Sequence, residues 1–380
     1  MTTEILAMNR NSIAIAVDSA VTFNRQKTAN GFTKLFPIDN FPMAIMMYGL
    51  ADFENIPMEN LIADFINTTN FDETDNIEKV KSLFLDFLAQ NTPKHNFKKD
   101  IESRLDIFKK EITEYFSRLN DEEIDSEIQY YLGLELPSFV LKLDEYSQYD
   151  HYFKNLKKEL GLGKWKAFKN YFFHQLCLYS TGIVIVGFGK YDNFPSYMNF
   201  DMVVNNNGNI EISNEQSELC YEYNIIVPFA QTDVISGYLE GIRPEFHDLI
   251  IKSHAIFLND FLDEFIEFID LEDNLSEGNI NNVLKNVDEF KSNITCQNQT
   301  FLNFIEFGKN YFFNSILNSM GLLSKEEMAK MVELLVEITL LRYKVSQELN
   351  IVGGEINVGV ISKLDGFVWI KKEEYFDEKF

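Results

Sequence analysis

The chain begins MTTEILAMNRNSIAIAVDSAVTFNRQKTANGFTKLFPI, and three residues in this stretch have the types and spacing to do chemistry together. Once Met1 is removed, Thr2 carries a hydroxyl within reach of its own α-amine. That amine has an unperturbed pKa of about 8, so near neutral pH it can take the hydroxyl proton as a general base. One residue then supplies both nucleophile and base. A fixed cation nearby favours the neutral amine and alkoxide character in the hydroxyl, and such a cation needs an acidic partner to hold it. Asp18 closes the apolar run SIAIAVD, while Lys34 follows a polar loop and leads into LFPI. A meander folded back on itself would bring both beside the start of the chain. Taken singly, each residue has an ordinary reading: Thr2 a strand start, Asp18 a turn residue, Lys34 a solvated side chain, and Gly49 relief of crowding at a strand-to-helix turn. Their order and spacing on one strand frame favour the joint reading.

The elements that would position them follow from periodicity. Residues 4–7, 12–18 and 43–48 are short apolar or alternating runs broken by turn-rich segments, which is the pattern of a β-meander. From residue 51 to about 179 apolar residues fall three and four apart, as in MENLIADFIN and NIEKVKSLFLDFLAQ, and predict helices. Strands are expected again over 182–187, 197–204, 209–213 and 222–228, with the Asn-Asn-Asn-Gly of 205–208 as a turn. Helices return over about 233–348, and EINVGVISK, Leu-Asp-Gly and FVWI close the chain as a hairpin. Runs of strands alternating with runs of helices predict an α+β protein, with sheets sandwiched between helical layers.

The stretch from Thr2 to Gly49 resembles the amino-terminal part of proteasome β-type subunits and of the related bacterial heat-shock protease subunit, both N-terminal nucleophile hydrolases. The likeness lies in Thr-Thr at the start, Ala-Val-Asp-Ser about sixteen residues on, Lys34 sixteen beyond Asp18, and a strand ending in Tyr-Gly-Leu-Ala-Asp. It implies a four-layer αββα sandwich of two antiparallel sheets, with Thr2 as nucleophile and base, Lys34 tuning it, and Asp18 anchoring Lys34. The Gly49 N–H would face the oxyanion of the tetrahedral intermediate. It further implies that Thr22 lies where an extended substrate pairs with the cleft edge, and that Val21, Phe32 and Met46 line an apolar specificity pocket. The expected activity is a threonine peptidase needing neither metal nor organic cofactor, acting on peptide or protein as a homo-oligomer, with an ATP-driven unfoldase as a further partner. The likeness extends more thinly to YNIIVPFAQTDVISGYLEGI and RYKVSQELNIVGGEINVGVISKLDG. Two departures stand out: Phe229-Ala230-Gln231 replaces a Gly-Ser-Gly, and Leu349 and Val352 stand near an expected Asp and Ser. Thr232, Asp233, Glu348 and Asn350 are the polar neighbours that could substitute. The chain is also longer than such subunits, so residues 1–380 are read as one domain with helical insertions at 92–179 and 255–325. A scaffold that has lost catalysis and a small-molecule amidase are the alternative readings.

Composition narrows the field. With 34 basic and 59 acidic residues the formal charge is −25, which disfavours nucleic acid as a partner. Three cysteines are too few and too dispersed for a disulfide framework or metal knuckle, which fits a reducing cytoplasm. No run approaches the roughly 18 uncharged apolar residues of a membrane-spanning helix, so no membrane role is expected. The Gly-Phe-Gly-Lys of 187–190 lacks the remaining glycines of a phosphate loop and reads as a strand end. His247 and His254 are seven apart beside Glu245 and Asp248, and read as scattered histidines rather than a metal site. The stripe Phe257, Phe261, Phe265, Phe268 reads as core packing or a groove for a partner helix.

Overall fold

Apolar side chains occupy both faces of the first two strands, so each must be covered on both sides. In the computed structural model, which describes residues 3–23, 27–29, 31–54, 56–71, 76–92, 158, 181–204, 210–244, 246–251, 253–254, 256–257, 301–345 and 353–372, that demand is met by stacked layers. The amino-terminal half supplies β1 (Thr3–Asn9), β2 (Ser12–Asp18), β3 (Val21–Phe23), β4 (Lys27–Ala29), β5 (Leu35–Pro37) and β6 (Met43–Gly49). Two short bridging strands, β7 (Asp52–Phe53) and β8 (Ile56–Pro57), precede the helices α1 (Met58–Thr68) and α2 (Ile77–Asn91). Then come β9 (Thr181–Gly187), β10 (Ser196–Val204), β11 (Ile210–Leu219), β12 (Ile225–Ala230), α3 (Asp233–Glu240), α4 (Lys325–Val345), β13 (Ile356–Ser362) and β14 (Gly366–Lys371). A further helix runs over 301–320.

One antiparallel sheet has the order β12-β1-β2-β13-β14 and the other β11-β10-β9-β6-β5. Alternation sorts their side chains into three cores. Leu6, Met8, Ile13, Ile15 and Val17 meet Ala44, Met46, Val184 and Val186 between the sheets. On the far side of the second sheet, Ile45, Met47, Ile183, Ile185 and Phe200 pack against Leu61, Phe65, Val80, Phe84 and Leu88 of α1 and α2. On the far side of the first, Ala7, Ala14 and Ala16 are small enough for α4 to lie close, with Met328, Val332, Leu335 and Val336 facing them. The result is the α+β sandwich of two antiparallel sheets between helical layers that the sequence predicts.

Boundaries differ where local pattern and pairing compete. Strand β11 continues to Leu219, well past the alternating run, because β10 offers a partner as far as Ser196. Strand β12 starts at Ile225, the first residue that pairs with β1, opposite Met8. Most of the 92–179 insertion, and residues 258–300 of the other, lie outside the described residues; the helix over 301–320 belongs to the second. Phe261, Phe265, Phe268, Cys177 and Cys296 are likewise outside them. Cys220 is buried, and burial pushes its thiol up to about 11. Strand β9 ends at Gly187, and the chain turns there toward β10 without opening a helix. Among the described residues no helix is long and apolar enough to cross a membrane.

Gly182 is a close approach that only glycine allows. Tyr48 and Asp201 flank it on the neighbouring strands, and the Tyr48 ring lies over it, so that an added Cβ would sit 2.1 Å from ring carbons. The ring thereby reaches Asp201 Oδ1, to which its hydroxyl donates at 2.9 Å. Gly182→Ala must displace the ring and break that bond, and is expected to lower stability by about 1–3 kcal/mol. Urea denaturation checks this: an unchanged midpoint would contradict the packing described.

Candidate active site

The antiparallel register gathers strand ends at one end of the sandwich. Glu4 pairs with Val17, so the next residues along, Thr3 and Asp18, face one another where β1 begins and β2 ends. Here a side chain enters the ladder: Asp18 Oδ1 accepts the Thr3 N–H at 3.1 Å. The same oxygen accepts Lys34 Nζ at 2.7 Å, with the lysine side chain 3% and the aspartate 0% exposed. Lys34 also donates to the Ala20 carbonyl. Asp18 Oδ2 accepts the Gly353 N–H at 3.1 Å.

Such a pair is not stable by charge alone. At an effective dielectric of about 20 the attraction at this separation is of order 6 kcal/mol, while taking two ions from water costs several kcal/mol each. The balance therefore rests on the added hydrogen bonds from Thr3, Gly353 and Ala20, which satisfy the remaining lone pairs and protons.

Each partner is held by backbone. Asp18 pairs with Ile356 at the start of β13, and the preceding turn locks the next residue, since the Glu355 N–H donates to Ser19 Oγ at 2.9 Å. Gly354 makes this possible: it has φ of 78°, and a Cβ there would lie 2.4 Å from Ser19 Oγ. Lys34 is fixed from both sides, its carbonyl accepting Met47 N–H at 3.0 Å and the Thr33 N–H reaching Glu59 Oε2 in α1 at 3.3 Å.

The other candidate residues fall as follows. Thr2 lies outside the described residues, but it is bonded to the Thr3 nitrogen and so begins one peptide bond from an atom 3.1 Å from Asp18. Gly49 ends β6 with φ of 84°, fifteen residues from Lys34 in sequence but two from the Met47 that pairs with it. Val21 and Thr22 lie in β3, opposite Ala29 and Thr28 of β4. Phe32 is half-buried, its N–H on the Ser19 carbonyl at 3.1 Å. Met46 is fully buried in the core between the sheets. Glu348, Leu349, Asn350 and Val352 lie outside the described residues.

The sequence reading missed a polar group at this same end. Glu4 is fully buried on β1, and Tyr48 stacks on Phe229 across the sheets with ring centroids 5.8 Å apart. Burial first, then the charge and hydrogen bond of Asp201, and more weakly Glu4, hold the Tyr48 hydroxyl well above the usual phenol range. Its proton goes to Asp201 Oδ1. Asp201 takes a second bond from Asn214 Nδ2 at 2.7 Å. The signal available in sequence was Glu4, an acid placed where the strand's alternation calls for an apolar side chain.

Of the candidate histidine cluster, Glu245 lies outside the described residues, and His247 and His254 have separate neighbours. The former contacts Asp248 at 3.3 Å and the latter stacks on Phe301 at 3.8 Å. Among the described residues no group of three or more His, Cys, Asp or Glu side chains could hold a metal ion.

Fold and site together define an α+β sandwich whose strand ends enclose a lysine–aspartate pair at the start of the first strand. No protein-family model matches the chain, and no curated protein matches it. Among solved structures it is similar to Anbu (ancestral beta-subunit) from Yersinia bercovieri, at 8% identity and a TM-score of 0.34, over 98% of this chain and 88% of that one. A likeness of that size assigns no activity.

Removing one buried partner leaves the other uncompensated. Lys34→Met is expected to cost about 3–5 kcal/mol, and Asp18→Asn combined with Lys34→Met less than the sum of the two single changes. A double-mutant cycle by chemical denaturation checks this, and additivity would contradict the pair's coupling.

Proposed function

We propose that the chain is a threonine-type amide hydrolase, a peptidase in its most natural form, with Thr2 as nucleophile once Met1 has been removed. The observation that carries this reading is the buried Asp18–Lys34 pair, bonded through Asp18 to the amide that joins Thr3 to Thr2.

In this reading the free amine of Thr2 takes the hydroxyl proton as Oγ attacks the substrate carbonyl. The Lys34 ammonium, paired with Asp18, disfavours protonation of the resting amine and stabilises the alkoxide character of Oγ. The oxyanion is met by the Gly49 N–H. The amine then gives its proton to the leaving nitrogen as the C–N bond breaks, and an ester on Thr2 remains. Water, deprotonated by the same amine, attacks that ester and releases the acid, restoring the Thr2 hydroxyl. No metal or organic cofactor enters these steps. An extended peptide would pair beside Thr22, and an apolar side chain before the cut bond would be received by Val21 and Phe32; Met46, expected to join them, is packed in the core between the sheets instead. Cytoplasmic location, self-association, and a protein substrate delivered by an ATP-driven unfoldase belong to the same proposal.

One observation favours a second reading, a scaffold without catalysis: the end of β12 beside the start of β1 carries Phe229, Ala230 and Gln231 instead of glycines and a serine. Intact mass and labelling separate the two. The enzyme reading predicts a product lacking Met1 that takes an epoxyketone or β-lactone adduct on Thr2. It also predicts no adduct in Thr2→Ala, and labelling of Lys34→Met slower by at least about 10²-fold. A demethionylated, folded protein that takes no adduct would support the scaffold instead.

A further inference from the structure

The start of β1 is also gripped from the helical side. The register between β1 and β12 pairs Glu4 with Phe229 and Thr3 with Ala230, so that Gln231 follows directly on the residue facing Thr3. At this point β12 ends, and Ala230 has φ of 61°, a conformation that residues with a Cβ seldom adopt and that persists only where the surroundings fix it.

Those surroundings are specific. The Gln231 carbonyl accepts Thr3 Oγ1 at 3.4 Å. Its side-chain amide donates to Asp233 Oδ1 at 3.1 Å and to the Tyr343 hydroxyl oxygen. Tyr343, buried near the end of α4, gives its own proton to Asp233 Oδ1 at 3.0 Å. Arg243 Nη2 holds the other carboxylate oxygen at 3.3 Å.

The bonds are directional. Because the tyrosine proton goes to Asp233, its oxygen is the acceptor for Gln231, and the reversed amide would set an oxygen against the carboxylate. Gln231 therefore has one orientation. An apolar contact between α4 and the turn would pack as well but would not fix the turn's rotation.

We propose that Gln231 is a positioning residue of the proposed site: clamped by Asp233 and Tyr343, it fixes the backbone against Thr3 and thereby orients the amine and hydroxyl of the adjoining Thr2. This rests on the threonine-hydrolase reading. It assigns a functional part to a helix that otherwise only covers a sheet, and to a turn where the sequence offers no recognisable catalytic motif.

The test is the kinetics of Thr2 labelling by a β-lactone probe in the full-length protein, resolved into the maximal rate kinact and the half-saturating concentration KI. Tyr343→Phe keeps the buried ring and removes the hydroxyl. Gln231→Ala changes a half-buried residue without touching the core. Both are expected to lower kinact by about tenfold or more while KI stays within about twofold, as misorientation of reacting groups does. Asp233→Ala should behave like them, whereas Asp233→Asn, which keeps an acceptor oxygen, should label at a rate near wild type. A merely structural role would reduce the labelled fraction and leave kinact unchanged; that result, or wild-type kinetics in both Tyr343→Phe and Gln231→Ala, overturns the inference alone. A wild-type protein that lacks Met1 and takes no adduct overturns the functional reading, and this inference with it.

Discussion

The structure depends at one end on a carboxylate that cannot be solvated. Asp18 is fully buried, so each of its lone pairs must be met from within the protein. Four segments converge to do so: Thr3 at the start of β1, Lys34 ahead of β5, Gly353 ahead of β13, and Ala20 beyond β2 through its carbonyl bond to the lysine. They come from distant parts of the chain, and the aspartate ties them into one corner of the sandwich. A lysine recruited for this purpose is buried against Asp18 at 2.7 Å, beside the chain's first described residue.

The layers around this corner explain how it stays dry. Alanines on the outer face of β1 and β2 let α4 approach, and the core between the sheets runs up to Val17, Leu35 and Met46. Tyr48, lying across Gly182 to reach Asp201 and stacking on Phe229, joins the two sheets beside it. On the opposite flank, Asp233 and Tyr343 bind the end of β12 to α3 and α4. Polar groups at this end are thus arranged in two partnered sets around the buried pair, which favours a unique geometry over mere adhesion.

Much of this was legible in the sequence, for identifiable reasons. Two-residue alternation in SIAIAVD and MAIMMYG, and the three-to-four spacing in α1 and α2, are local signals, and the elements they predict are present at nearly the expected places. The pairing of Asp18 with Lys34 is expected from sequence because a cation beside the nucleophile needs an acidic partner to hold it, and the two side chains do meet. What escaped was non-local. The length of β11 is set by β10 and not by its own mostly exposed residues. The short hairpin β3–β4 has too few residues to show a period. The bonds among Gln231, Asp233 and Tyr343 span more than a hundred residues and depend on how α4 docks. Glu4 was visible as an acid in an apolar strand, yet its surroundings belong to the facing sheet.

In the proposed reading the buried pair holds the amino terminus in place for chemistry. A crystal structure of protein whose mass lacks Met1 tests it most directly. The expected result is Lys34 Nζ on Asp18, with Thr2 Oγ and the terminal amine about 3 Å from that ammonium. A terminus that points away, or a lysine turned to solvent with Asp18 satisfied by other groups, would contradict it.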